Sequence, residues 1–181
     1  PTGFYGTSTN GAGLTMDGSG GFVFDVDGVI SGNELILREE GYEPLRTLNT
    51  KDGYALHYAI KQGFLMAIIT GCKSDSIEKH FKKLGASVYM QSDIKKVFLE
   101  DFMKKNNLSA EDVLYMGDDI PDYEAMQMVG VPTCPKDASV EIKEISSYIS
   151  PFNGGKGCVR DIIEQVMRAQ NKWMCEDAFS W

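Results

Sequence analysis

Histidine and cysteine are scarce in this chain, with two and four copies in 181 residues. Cys72, Cys134, Cys158 and Cys175 are scattered without a C-x-x-C spacing, which fits neither a zinc knuckle nor a disulfide-dense scaffold, so they read as ordinary thiols. His57 and His80 fall in separate predicted helices with no metal-ligand spacing. Positive charge is also short. Eighteen Lys+Arg stand against 26 Asp+Glu, a net charge of −8 that repels a nucleic-acid backbone. No apolar run approaches the roughly 20 residues that span a bilayer, and no basic region followed by an apolar block marks a signal peptide. The expectation is a soluble, cytoplasmic protein with neither a nucleic-acid nor a membrane partner. A small phosphorylated ligand stays open to an acidic chain, because a bound divalent cation inverts the local field.

What is present is a core-forming composition, 43% hydrophobic, at a length usual for one domain. Residues 1–21 hold seven glycines, six Ser/Thr and one charge, Asp17, and read as a flexible leader or an expression-derived segment ahead of a single domain over 22–181. From Phe22 short apolar runs alternate with helical periods, the form of an α/β fold with a mainly parallel sheet and helices on both faces. Strands are expected at Phe22–Phe24, Phe64–Ile69, Ser87–Met90, Val113–Met116 and Val131–Thr133. Helices are expected at Asp52–Gln62, Asp75–Leu84, Lys95–Asn106, Pro121–Val129 and Cys158–Gln170, with glycine closing three of them. Ser109 to Asp112 reads as a capping box. Glu34–Leu37 and Pro44–Asn49 flank the turn-like Glu39-Glu40-Gly41 and predict a projecting β-hairpin. Trp173, Phe179 and Trp181 near the end of the sequence predict docking, on this core or on a neighbouring subunit.

Asp25 and Asp27 lie just beyond the first expected strand, Thr70 ends the second, Lys95 follows the third, and Asp118-Asp119 follow the fourth. Ligands of open parallel sheets bind outside the carboxyl ends of the strands, so these groups converge on one crevice. Carboxylates at Asp25 and Asp118 suit a hard cation such as Mg²⁺; the Thr70 hydroxyl and Lys95 ammonium suit phosphoryl oxygens. Asp25, at the strand end, is the better nucleophile toward phosphorus. Asp27, two residues on, suits an acid that protonates the leaving oxygen and then a base that activates water. Gly28 permits the tight turn. Any one of these features is commonly a turn or a cap; their shared order and strand-end placement is what carries the reading.

The strings Asp25-Val26-Asp27-Gly28-Val29, Ile69-Thr70-Gly71, Lys95 and Gly117-Asp118-Asp119-Ile120-Pro121-Asp122 resemble the four motifs of the haloacid dehalogenase-like phosphatase superfamily, over roughly Phe22 to Gln170. The resemblance implies Asp25 as phosphoryl acceptor and Asp27 as acid/base. It implies Thr70, Gly71 and Lys95 around the phosphate, and Asp25, the Asp27 carbonyl and Asp118 on Mg²⁺. Asp119 and Asp122 would support the metal, with their order of proximity left open. Forty-two residues separate Asp27 from Thr70 and 24 separate Thr70 from Lys95, too few for a lid domain, so the site is capless. N-T-K-D-G-Y from Asn49 and G-G-K-G-C-V-R from Gly154 resemble the 3-deoxy-D-manno-octulosonate 8-phosphate phosphatases of lipopolysaccharide precursor synthesis. That likeness implies a homotetramer assembled by hairpins, with a C-terminal segment reaching a neighbour's site and Lys156 and Arg160 recognising a sugar acid, or else lying in a solvated loop and helix start. Gly20-Gly21, Ser31-Gly32 and Cys72 depart from the family's usual residues.

Two other readings compete. A nine-carbon, sialic-acid-type 9-phosphate is the alternative substrate. A receiver-like phosphoacceptor module without turnover is the alternative class, opposed by the order of motifs, since Thr70 and Lys95 precede Asp118-Asp119, and by a base at Asp27.

Overall fold

The computed structural model describes residues 20–180. The proposed leader lies almost wholly outside them, as does Trp181. Six strands form one parallel sheet in the order β3-β2-β1-β4-β5-β6: β1 Gly21–Phe24, β2 Leu65–Ile69, β3 Ser87–Tyr89, β4 Val113–Met116, β5 Val131–Cys134 and β6 Tyr148–Ile149. The order reverses at β1, which pairs with β2 on one side and β4 on the other, the Rossmann-like arrangement whose crevice opens beyond the strand ends. Helices α1 Thr50–Lys61, α2 Asp75–Leu84 and α6 Cys158–Ala169 cover the face that carries Phe22, Phe24, Leu114 and Met116. Helices α3 Lys95–Asn106, α4 Tyr123–Met126 and α5 Val140–Ile145 cover the face that carries Val23, Val113 and Tyr115. Alternate residues of one strand thus feed two cores, which is why the central strands are apolar throughout.

Local signals explain most boundaries. Asn49 Oδ1 accepts from Lys51 N at 2.9 Å and from Asp52 N at 3.3 Å, so α1 starts at Thr50, ahead of the Asp52 expected. Ser74 caps α2, acidic residues occupy its first turn, and Gly85 closes it with φ +97. The capping box at Ser109 and Asp112 forms. The expected helix from Pro121 is shorter. A 3₁₀ turn, Ile120–Asp122, leads into the single turn of α4, and Val129 N reaches back only three residues to Met126 O. Helix α5 and strand β6, six and two residues long, are too short to show a period and were not expected.

The hairpin narrows to one antiparallel bridge, Ile36↔Leu45, around a turn at Gly41. Neither limb has a sheet or core behind it, and two strands alone do not hold a ladder. Glycine at position 21 has a packing reason: a Cβ there would stand 2.8 Å from Leu108 and 3.1 Å from Phe102. The tail docks on its own chain: Trp173 packs edge-on against Tyr58 at 5.5 Å, and the Tyr58 hydroxyl accepts from Cys175 N at 3.1 Å. Phe179 stays exposed. No helix among the described residues is long and apolar enough to cross a membrane.

Candidate active site

The ladder extends one residue past the strands, with Asp25 N donating to Met116 O at 3.2 Å, Thr70 N to Tyr89 O at 3.0 Å and Gly117 N to Thr133 O at 3.3 Å. The first side chains beyond the sheet therefore inherit its rigidity. A cleft of about 550 Å³ opens there, lined by Asp25, Asp27, Thr70, Gly71, Cys72, Lys95, Asp118, Asp119 and Asp122 among others. Eight of the ten residues expected at the site, dispersed in the chain, are thus in one place. Thr70 Oγ1 accepts from Cys72 N at 3.2 Å, leaving its O–H to donate elsewhere.

Lys95 is the hub. Its ammonium lies 3.0 Å from Asp25 Oδ2 and 2.8 Å from Asp122 Oδ1, with all three side chains almost wholly buried. Burial alone would lower its pKa; Asp25 and Asp122 together outweigh that and raise it, so Lys95 is a fixed cation. Carboxylate oxygens of Asp25, Asp118 and Asp122 lie within 4.8 Å of one another. The third member of this cluster is Asp122 rather than Asp119, and sequence reasoning had left their order open. Asp119 is exposed and caps the turn that carries Asp122 inward.

Asp122 is saturated: Oδ1 also accepts from Tyr115 OH at 2.8 Å, and Oδ2 from Asp118 N at 3.2 Å and Asp119 N at 3.5 Å. It orients its neighbours. Asp25 Oδ1, by contrast, is buried with no hydrogen-bond partner among the described residues. Burial first, then the Asp122 charge, pushes the Asp25 carboxyl up to about 7. Burial, then Asp25 and Asp122, push Asp118 up to about 8. Three carboxylates facing one ammonium, with an orphaned oxygen among them, have the donor chemistry of a hard-cation site. Gly28 makes the approach possible: at φ +89, a Cβ there would fall 1.9 Å from Asp118 Oδ2.

Asp27 lies outside that cluster. Its carboxylate is gripped by Arg46, Nε to Oδ1 at 2.6 Å and Nη2 to Oδ2 at 2.9 Å. Sequence reasoning missed Arg46, since no motif marks it; the lone hint was an arginine in an otherwise hairpin-like segment.

Lys156 and Arg160 are not brought to this cleft within one chain. They line a separate groove of about 1000 Å³ with Lys51, Phe152, Glu164 and Arg168. The Arg160 guanidinium is taken up by Glu164 at 2.8 Å and by the Trp173 ring at 4.6 Å. The two string resemblances have structural work instead. Asp52, from N-T-K-D-G-Y, accepts from Arg160 N at 2.6 Å and so caps α6. Burial first raises its carboxyl to about 6, against these amide bonds. Gly154 and Gly155 lie against the backbone of the loop after β1, with Gly155 N donating to Val29 O at 2.8 Å; a Cβ on Gly154 would meet Gly28 O at 1.9 Å.

Comparison with known proteins agrees with this layout. Residues 47–135 match the family model described as haloacid dehalogenase-like hydrolase. The chain is 32% identical over 151 residues to the 3-deoxy-D-manno-octulosonate 8-phosphate phosphatase KdsC of Escherichia coli K12, covering 83% of this chain and 80% of that protein. Its Yersinia pestis counterpart is 30% identical over the same length. The crystal structure of the Moraxella catarrhalis 3-deoxy-D-manno-octulosonate 8-phosphate phosphatase, in complex with a magnesium ion, a phosphate ion and KDO, aligns with a TM-score of 0.82 at 30% identity, over 87% of this chain and 91% of that one. The Yersinia pestis phosphatase structure aligns at 0.83 with 28% identity, over 89% and 88% of the two chains. With a Rossmann-like sheet, acidic groups beyond its carboxyl edge and a curated relative 32% identical over most of both chains, this chain belongs to the haloacid dehalogenase-like hydrolases. Within them it is a phosphoric monoester hydrolase of the 3-deoxy-D-manno-octulosonate 8-phosphate phosphatase type.

Proposed function

We propose that the protein hydrolyses 3-deoxy-D-manno-octulosonate 8-phosphate to the free sugar acid and phosphate, with Asp25 as nucleophile. The observation that carries the reading is the buried Asp25 carboxylate, held by Lys95 on Oδ2 and unpartnered on Oδ1. An Asp25 oxygen attacks phosphorus as the ester P–O bond breaks, and Asp27 gives its proton to the leaving alkoxide. Asp27, now a carboxylate, takes a proton from a water whose oxygen attacks the same phosphorus. The Asp25–phosphorus bond breaks, phosphate leaves, and both aspartates return to their starting state. Thr70 and Lys95 bind the phosphoryl oxygens. Asp25 and Asp118, with the Asp27 carbonyl and support from Asp119 and Asp122, would hold Mg²⁺, which when bound neutralises the charge of phosphate and nucleophile. The magnesium and KDO bound in the Moraxella relative support both choices.

The exposed apolar side chains Leu35, Ile36, Leu37, Tyr42 and Leu45 support assembly through the hairpin segment, and the implied assembly is a homotetramer. Lys156 and Arg160 then serve as sugar-acid ligands only if a neighbouring copy closes their groove onto its own cleft. The deciding experiment is phosphate release from the eight-carbon 8-phosphate and from a nine-carbon sialic-acid-type 9-phosphate, each with Mg²⁺ and with chelator. Metal-dependent turnover with the eight-carbon ester preferred is expected; preference for the nine-carbon ester would reassign the substrate, and a single turnover without release would return the receiver reading.

A further inference from the structure

The Arg46–Asp27 pair has no role in the account above. Arg46 belongs to the segment between β1 and α1, yet its side chain is only 6% exposed, against 34% for Asp27. Its guanidinium meets the carboxylate as a two-bond fork, the geometry that fixes a carboxylate in its plane. Asp27 keeps about a third of its side chain in solvent, where an ion pair contributes little net stability, so folding alone is a weak reason for it. A second charged contact holds the segment in place: Glu43 accepts from Ser74 Oγ at 2.7 Å and from Asp75 N at 2.9 Å, at the start of α2. Glu43 and Arg46, three residues apart, tether this otherwise loosely paired segment to α2 and to Asp27.

We infer that Arg46 is a positioning residue that fixes the plane of the Asp27 carboxyl, so that Oδ2 is the oxygen that hands a proton to the leaving group. Oδ1 accepts from Arg46 Nε and also lies 3.3 Å from Ser31 Oγ, whereas Oδ2 meets only Arg46 Nη2 among the described residues. A carboxylate oxygen offers two lone-pair sites, so Oδ2 keeps one open for exchange with the leaving group. In the transfer the Asp25 oxygen–phosphorus bond forms, the ester P–O bond breaks, and the departing oxygen takes the proton of Asp27 Oδ2. Arg46 stays a guanidinium throughout. The inference rests on the acid role proposed for Asp27 and goes beyond it by naming the residue that aims it.

Leaving-group dependence tests this, because p-nitrophenolate departs without a proton and an alkoxide does not. The value of kcat/KM covers only the steps through departure of the leaving group, so later hydrolysis does not blur it. For Arg46→Gln, kcat/KM on the preferred alkyl phosphate is expected to fall at least about 10-fold, and on p-nitrophenyl phosphate by less than about 3-fold. Arg46→Lys, which keeps the charge but not the fork, recovers part of the loss, and Asp27→Asn with Arg46→Gln is no slower than Asp27→Asn alone. Equal losses on both esters, with unchanged melting, would make Arg46 a general binding or structural residue and overturn the inference. If Asp27→Asn discriminates between the esters and Arg46→Gln does not, only the Arg46 inference falls; if neither discriminates, the Asp27 reading falls with it.

Discussion

The carboxyl edge of the sheet and the segment between β1 and α1 are built on opposite principles. At the edge the side chains are fixed by the ladder and by one another: Asp122 alone receives an ammonium, a phenol and two backbone amides. Over residues 33–48 there is one bridge, apolar side chains face outward, and placement depends on Glu43 and Arg46. The difference separates what must be rigid before substrate arrives from what is free to meet another surface. Reaction groups gain from pre-organised surroundings; a segment with little core behind it is where local opening costs least.

Removing Asp25 tests the edge most severely. Asp25→Asn is expected to leave less than about one thousandth of wild-type turnover, because the proposed nucleophile is gone; substantial residual rate in a phosphate-release assay would reject the assignment. Asp122→Ala comes next. It leaves Lys95 with Asp25 alone and strands the Tyr115 hydroxyl and two amides, and should cost about 3–5 kcal/mol, a fall in Tm of roughly 10 °C by calorimetry. A Tm within about 2 °C of wild type would show that the edge is less tightly built than its hydrogen bonds imply.

A smaller effect concerns pH. Asp25 and Asp118, raised to about 7 and about 8 in the folded chain, bind protons more tightly there than when unfolded. Their contribution to stability is full below about pH 4 and is lost as pH rises through 7 and 8. Metal-stripped protein should therefore lose roughly 5 °C of Tm between pH 6 and pH 8.5, with Mg²⁺ restoring most of it at the higher pH. A flat metal-free profile would break the link between burial and charge at the edge. The segment should respond least in stability: Ile36→Ser with Leu37→Ser is expected to change folding by less than about 0.5 kcal/mol while reducing the native mass by light scattering. An unchanged mass would remove the hairpin from assembly.

Much of this was readable from residue order. Short apolar runs ending in Asp25, Thr70 and Gly117 are strands of a doubly covered sheet, and such strands deliver their next residues to one crevice. Motif spacing pointed to the chemistry for the same reason. Short pieces were not readable: β6 and the single turn of α4 carry too few residues for a period. Nor were the purposes of the two later strings, since Asp52 caps a helix more than a hundred residues away and Gly154 serves backbone contact.

The sequence by itself determined the alternation of strands and helices and the placement of Asp25, Thr70, Lys95 and Asp118 beyond strand ends, because these depend on local periodicity and spacing. Tertiary structure alone decided that Asp122 completes the carboxylate cluster, that Arg46 holds Asp27 and that Trp173 takes up Arg160. Each of those rests on side chains meeting across the fold, where burial strengthens the pairing of charges and rings and no local pattern records it.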